Sequence, residues 1–154
     1  MAKPEPLGGL VVRYDYRWKS EERTGREEGA KDRPCAVVVG IKPTSRSPER
    51  AILCGITHSQ PVPPEEGIEI PPRVKQHLGL DQQRSWIITS EINLVDWDDP
   101  GLVPVSQGHW AYGFLPPALA RQVHTAILAR RANAGLGTVN RPQIEQQRAA
   151  RDPD

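Results

Sequence analysis

Sulfur is scarce in this 154-residue chain, which holds two cysteines and one methionine. Cys35 and Cys54 each sit inside an apolar run and lack the close Cys/His spacing of a zinc site, so they read as reduced core thiols. Long apolar stretches are missing too. Nowhere are there the roughly 18 apolar residues that a membrane-spanning helix requires, and residues 1–10 carry no apolar leader core. A soluble, cytoplasmic protein with no membrane partner is the expectation. Net charge is almost absent: 20 Lys/Arg against 19 Asp/Glu leave +1, so an anionic ligand has to be held by local clustering, not by a global field. What is plentiful is proline and glycine, 16 and 13 residues, beside an apolar share of 37%. That composition predicts many turns and short elements in one domain, a β-rich α+β fold rather than a helical bundle.

Along the chain, Val12, Tyr14, Tyr16 and Trp18 alternate with Arg13, Asp15, Arg17 and Lys19, the period of a half-buried strand. Residues 20–31 are glycine-punctuated and densely charged, which predicts a solvated, mobile loop. Two β-branched runs follow, residues 35–39 and 51–56, separated by the exposed turn 42–50. Prolines make 60–67 a loop before a short strand at 68–70. Pro71 and Pro72 then open a brief helix, 73–78, stopped by Gly79. Strands are expected at 85–89 and 91–95, a connection at 97–105, and a last strand or turn at 110–115. From Pro116, Leu119, Val123, Ile127 and their neighbours Ala126 and Leu128 recur at helical spacing, predicting an amphipathic helix that ends before Gly135. The polar remainder, 136–154, reads as a mobile tail with a transient helix near 144–151.

The chemistry concentrates at the ends of the two apolar runs. Arg33 enters the first, within Lys31-Asp32-Arg33-Pro34, and Thr57-His58-Ser59 closes the second. If these runs pair, a guanidinium and a hydroxyl–imidazole pair are aimed into one groove. Such a groove suits a phosphate-reactive site, where cleaving a phosphodiester through a neighbouring hydroxyl needs proton removal from the nucleophile, proton delivery to the leaving oxygen and neutralisation of the extra charge on phosphorus. Arg33 suits the charge, Thr57 a hydrogen bond to a non-bridging oxygen, and His58 acid–base work near neutral pH. A strand running regularly through Thr57 and His58 would put them on opposite faces, so that only one meets the groove. Arg33 has acidic neighbours, Asp32, Glu27 and Glu28, which either order it or screen it. Lys31, Arg46 and Arg50 are candidates for backbone charge, Ser59 and Asn93 for polar contacts, and Trp97, Trp110 and Tyr112 for base stacking or for packing. His77, His109 and His124 share no metal-ligand spacing.

The order of these features resembles the PemK/MazF family of toxin endoribonucleases over residues 8–132. The resemblance rests on the opening Gly-Leu-Val-Val strand, Lys31-Asp32-Arg33-Pro34 before a strand, Ile56-Thr57 at a strand end, Gly79-Leu80, Ser85-Trp86, Glu91-Ile92-Asn93, and Gly113-Phe114-Leu115 before the C-terminal helix. It implies a small SH3-like barrel with a short internal helix and a C-terminal helix, the domain 8–132, followed by a flexible tail, 133–154. It further implies a homodimer that cleaves single-stranded RNA without metal or cofactor, leaving a 2′,3′-cyclic phosphate, and that is neutralised by a cognate antitoxin. The family's catalytic arginine and threonine map to Arg33 and Thr57. Two features depart from the family pattern: a longer charged loop before Arg33, and His58 interposed before Ser59. The same fold also suits a catalytically silent barrel that binds a protein or nucleic acid, or a toxin directed at DNA gyrase.

Overall fold

The computed structural model of the protein describes residues 2–19, 21–26, 32–133 and 135–140. In chain order its elements are β1 (Leu10–Tyr14), α1 (Glu21–Arg26), β2 (Arg33–Ile41), β3 (Arg50–Thr57), β4 (Gly67–Glu69), α2 (Pro72–His77), β5 (Trp86–Ile88), β6 (Glu91–Asp96), β7 (Leu102–Val103), β8 (Gly113–Phe114), α3 (Pro117–Ala132) and β9 (Gly137–Asn140). The strands form one sheet, antiparallel except where β9 lies parallel to β6. This is a β-rich α+β fold. The main path runs β4-β5-β3-β2-β1-β7. The sheet branches at β3, whose first half pairs with β6 and whose last residues pair with β5. It branches again at β1, where Leu10 and Val11 face β8 while Arg13 and Tyr14 face β7.

Both faces of the central strands are covered, which explains why β2 and β3 read as continuous apolar runs. On one face Val11, Ala36, Val38, Cys54 and Ile56 meet Leu119, Val123 and Ile127 of α3. On the other, Val12, Tyr14, Cys35, Val37 and Leu53 pack with Val95, Trp97 and Leu102. Cys35 and Cys54 are free thiols on opposite faces, and burial pushes both well above the ordinary thiol range. Among the described residues no helix is long and apolar enough to cross a membrane.

Several expectations change. The alternating run leaves the sheet after Tyr14, although Tyr16 stays buried and Trp18 half-buried. The charged stretch expected to be a mobile loop contains α1, anchored by the fully buried Arg23. The connection 97–105 contains β7. Leu128 faces solvent instead of joining the buried stripe of α3. Part of the stretch expected as a tail is a strand: Gly137 to Asn140 pair with Glu91 to Leu94, while the transient helix expected at 144–151 lies outside the described residues.

Residues 15–19 cross one face of the sheet instead of extending β1. Asn93 holds them there. Its Oδ1 accepts the Arg17 N–H and its Nδ2 donates to the Arg17 carbonyl, both at 2.9 Å, so the amide does the work of a neighbouring strand. Glu91 Oε2 accepts the Lys19 N–H at 2.9 Å. The segment can lie close because Gly55 presents no side chain: a Cβ there would stand 2.6 Å from Trp18 Cη2 and 3.1 Å from Tyr16 Cδ1. Gly55→Ala is therefore expected to destabilise the fold by about 1–3 kcal/mol and to displace Trp18. Urea unfolding and the tryptophan emission spectrum measure the two effects; an unchanged midpoint and spectrum would contradict this packing.

Candidate active site

The register of β2 and β3 aims Arg33 and Thr57 at each other. Cys35 lies opposite Gly55, and continuing that register by two residues sets Arg33 opposite Thr57 on the same face. Side chains in such a pair have Cβ atoms about 5 Å apart. The strand ends at Thr57, and His58 occupies a bend. Strand alternation therefore does not separate the two: Arg33, Thr57 and His58 all line one cavity of about 190 Å³, together with Ile56, Lys75, Leu80, Asp81 and Ser85.

Arg33 is only 7% exposed, with its guanidinium carbon 5.1 Å from the centroid of the Trp18 ring. A guanidinium tolerates such burial because it is weakly hydrated and its flat face is attracted to an indole. Its acidic neighbour Asp32 lines the same cavity, and its charge is answered by Arg13, whose Nε donates to it at 2.9 Å. Thr57 Oγ1 accepts the Ser59 N–H at 3.0 Å, a local turn that fixes the hydroxyl at the strand end. Ser59 carries that turn without lining the cavity, and its carbonyl accepts from Arg23 Nη1 at 3.3 Å.

Asp81 completes the constellation. Its Oδ2 lies 2.8 Å from His58 Nε2, and its Oδ1 accepts from Lys75 Nζ at 2.7 Å. Burial alone would raise the Asp81 carboxyl, but the Lys75 hydrogen bond and the nearby His58 outweigh it and hold the group below the ordinary carboxylate range. Lys75 is buried on α2, and its ammonium also donates to Ser85 Oγ at 2.7 Å and to the Gln83 carbonyl. Three acceptors match its three protons, so Lys75 pins the 81–85 turn that carries Asp81. With Nε2–H directed at Asp81, the neutral imidazole presents Nδ1 as its acceptor.

Other residues expected at the site lie away from it. Arg46 is in the exposed turn between β2 and β3, at the opposite end of the hairpin from Arg33. A strand as long as β2 spans about 30 Å, so Arg46 cannot reach this cavity. Asn93 is fully buried and its amide is occupied by the Arg17 backbone. Trp97 is core: it packs with Leu53 and Val95, and its Nε1 donates to the Pro4 carbonyl at 2.9 Å. It therefore offers no face to a base. Trp110 and Tyr112 are half-buried, and Lys3 Nζ lies 5.0 Å from the Trp110 ring centroid. Lys31, Glu27 and Glu28 lie outside the described residues. No group of three or more His, Cys, Asp or Glu among the described residues is arranged to hold a metal ion.

Trp18, Lys75 and Asp81 were not anticipated as site residues. Asp81 had a visible signal, because Gly79-Leu80-Asp81 ends a helix and Asp81 Oδ1 accepts the Gln83 N–H at 3.1 Å, a turn habit of aspartate. Lys75 had none, since a lysine on a short surface helix ordinarily points to water. The chain matches neither a model of a known protein family nor a curated protein.

Proposed function

We propose that this protein is an endoribonuclease that cleaves single-stranded RNA with side chains alone, by attack of the 2′-hydroxyl on the adjacent phosphorus. The observation that carries this reading is the shared cavity of Arg33, Thr57 and His58, with Asp81 behind the imidazole. At about 190 Å³ it suits a phosphodiester and the sugar edge attached to it, being smaller than the pockets that enclose whole drug-sized ligands. His58 Nδ1 takes the 2′-hydroxyl proton as the bond from O2′ to phosphorus forms. Arg33 neutralises the charge that develops on the non-bridging oxygens, and the Thr57 hydroxyl donates to one of them. The bond from phosphorus to O5′ breaks, the leaving oxygen takes a proton from solvent, and a 2′,3′-cyclic phosphate remains. In this reading the branched sheet curls into an SH3-like barrel, the working unit is a cytoplasmic homodimer, and a cognate antitoxin neutralises the enzyme.

The reaction is tested with a short RNA and its copy carrying 2′-deoxyribose at the cut position. Only the RNA should be cut, yielding a cyclic phosphate and a 5′-hydroxyl; cutting of the deoxy copy would contradict 2′-hydroxyl attack. Asp81 acts through His58 as a positioning residue. Asp81→Asn should slow single-turnover cleavage about 10- to 100-fold, less than the roughly 10²- to 10⁴-fold that general acid–base catalysis supplies in full, because the histidine remains. The double variant His58→Ala/Asp81→Asn should be no slower than His58→Ala. Additive losses would mean that Asp81 acts independently of the histidine.

A further inference from the structure

Beside the candidate site lies a second cavity of about 470 Å³ under α2 and the 79–84 turn. The two cavities share Lys75, Leu80 and Asp81 as lining residues, which makes them immediate neighbours. Its floor includes Ile70 and Leu80, its rim the exposed Gln76, Gln82 and Gln83, and its far wall Arg84.

Arg84 is unusual for a surface arginine. Its side chain is 65% exposed, yet its plane is fixed from two directions. Nε and Nη2 each donate to a Glu69 carboxylate oxygen at 2.8 Å, and the guanidinium carbon lies 4.9 Å from the centroid of the buried Trp86 ring. The preceding residue is fixed as well, since the Gln83 carbonyl accepts from Lys75 and its N–H donates to Asp81. Glu69 answers the charge of Arg84, which leaves a flat, rigid and locally neutralised surface. Such a surface suits the face of a nucleobase better than a phosphate.

From this geometry we infer that the second cavity is a nucleotide subsite, in which the base next to the reacting phosphate stacks on Arg84 while the glutamine amides at the rim meet its polar edge. The assignment rests on the nuclease reading for the position of the phosphate, but binding of single-stranded RNA tests it separately. The probe is a short single-stranded RNA, 2′-O-methylated throughout and therefore uncleavable, with its affinity measured by fluorescence anisotropy. Arg84→Ala should bind it about 10- to 100-fold more weakly, the usual effect of losing one stacking platform. Arg84→Lys should bind nearly as weakly, because it keeps the charge and loses the plane. Removing the base at one position of the probe should weaken binding to the wild type by a similar factor and add nothing in Arg84→Ala.

Affinity restored by Arg84→Lys would replace stacking with simple charge and overturn the inference. Wild type that cuts unmodified RNA while Arg84→Ala keeps full affinity would overturn the inference alone. Wild type that binds the probe in an Arg84-dependent way but cuts nothing would overturn the nuclease reading and uphold the subsite. Failure of the wild type to bind the probe would overturn the subsite.

Discussion

Arg33→Lys is expected to cleave single-stranded RNA about 10²- to 10³-fold more slowly than the wild type, although the charge is conserved. Lysine lacks the planar fork that reaches two phosphate oxygens at once and the flat face that lies against Trp18. Losing one preorganised donor to the charge of the transition state ordinarily has an effect of this size. Arg33→Ala should fall in the same range, because both variants lose the same geometry. The measurement is single-turnover cleavage, with far-UV circular dichroism to establish that each variant is folded. A rate within tenfold of wild type in folded Arg33→Lys would remove the guanidinium from the chemistry.

The largest effect on stability is expected at Glu65, which lines neither the candidate site nor the cavity beside it. Arg23 is fully buried, and its Nε donates to Glu65 Oε2 at 2.6 Å while Arg26 Nη2 donates to Oε1 at 2.9 Å. Glu65→Ala removes the carboxylate that receives the buried Arg23 Nε, and removing one partner of a buried ion pair typically destabilises by about 3–5 kcal/mol. For a chain of this length the midpoint of thermal unfolding should drop by on the order of 10 °C. The same pair gives the wild type a pH dependence of known sign. Burial alone would raise the Glu65 carboxyl, but the hydrogen bonds from Arg23 and Arg26 hold it below its ordinary range. A carboxyl depressed in the folded state adds stability above its unfolded titration range and loses it as pH falls through the folded one. Acid should therefore destabilise the wild type in a step that Glu65→Ala lacks, as urea unfolding at successive pH values would show. Equal acid sensitivity in both proteins would contradict the buried pair.

Arg23 also shows why part of this structure was hidden in the sequence. The run 20–31 looked like a solvated loop because it is charged throughout, and the partner that buries Arg23 lies 42 residues further along. A pattern of local charges carries no sign of such a pairing. Strand β9 escaped for a related reason. Gly137-Thr138-Val139-Asn140 has too few apolar anchors to announce a strand, and its order comes from the edge that β6 supplies. By contrast, β2, β3 and α3 were legible because each buries enough apolar surface to leave its period in the residues themselves. At the site, Arg33 and Thr57 were visible as polar residues bounding apolar strands, and the pairing register explains their meeting. Trp18 was visible only as one more aromatic in an alternating run. Its place beside Arg33 depends on a segment held by Asn93, a residue whose own pattern suggested a ligand contact.

As proposed, the cavity of Arg33, Thr57 and His58 breaks RNA without a metal. The most direct test is to incubate the purified protein with mixed-sequence single-stranded RNA in EDTA, map every new end, and run Arg33→Lys beside it. Cuts at preferred positions, ending in 2′,3′-cyclic phosphate and nearly lost in the variant, are the predicted result. Intact RNA across a broad panel, or cuts that persist unchanged in Arg33→Lys, would contradict the account and leave a sheet domain that serves by binding.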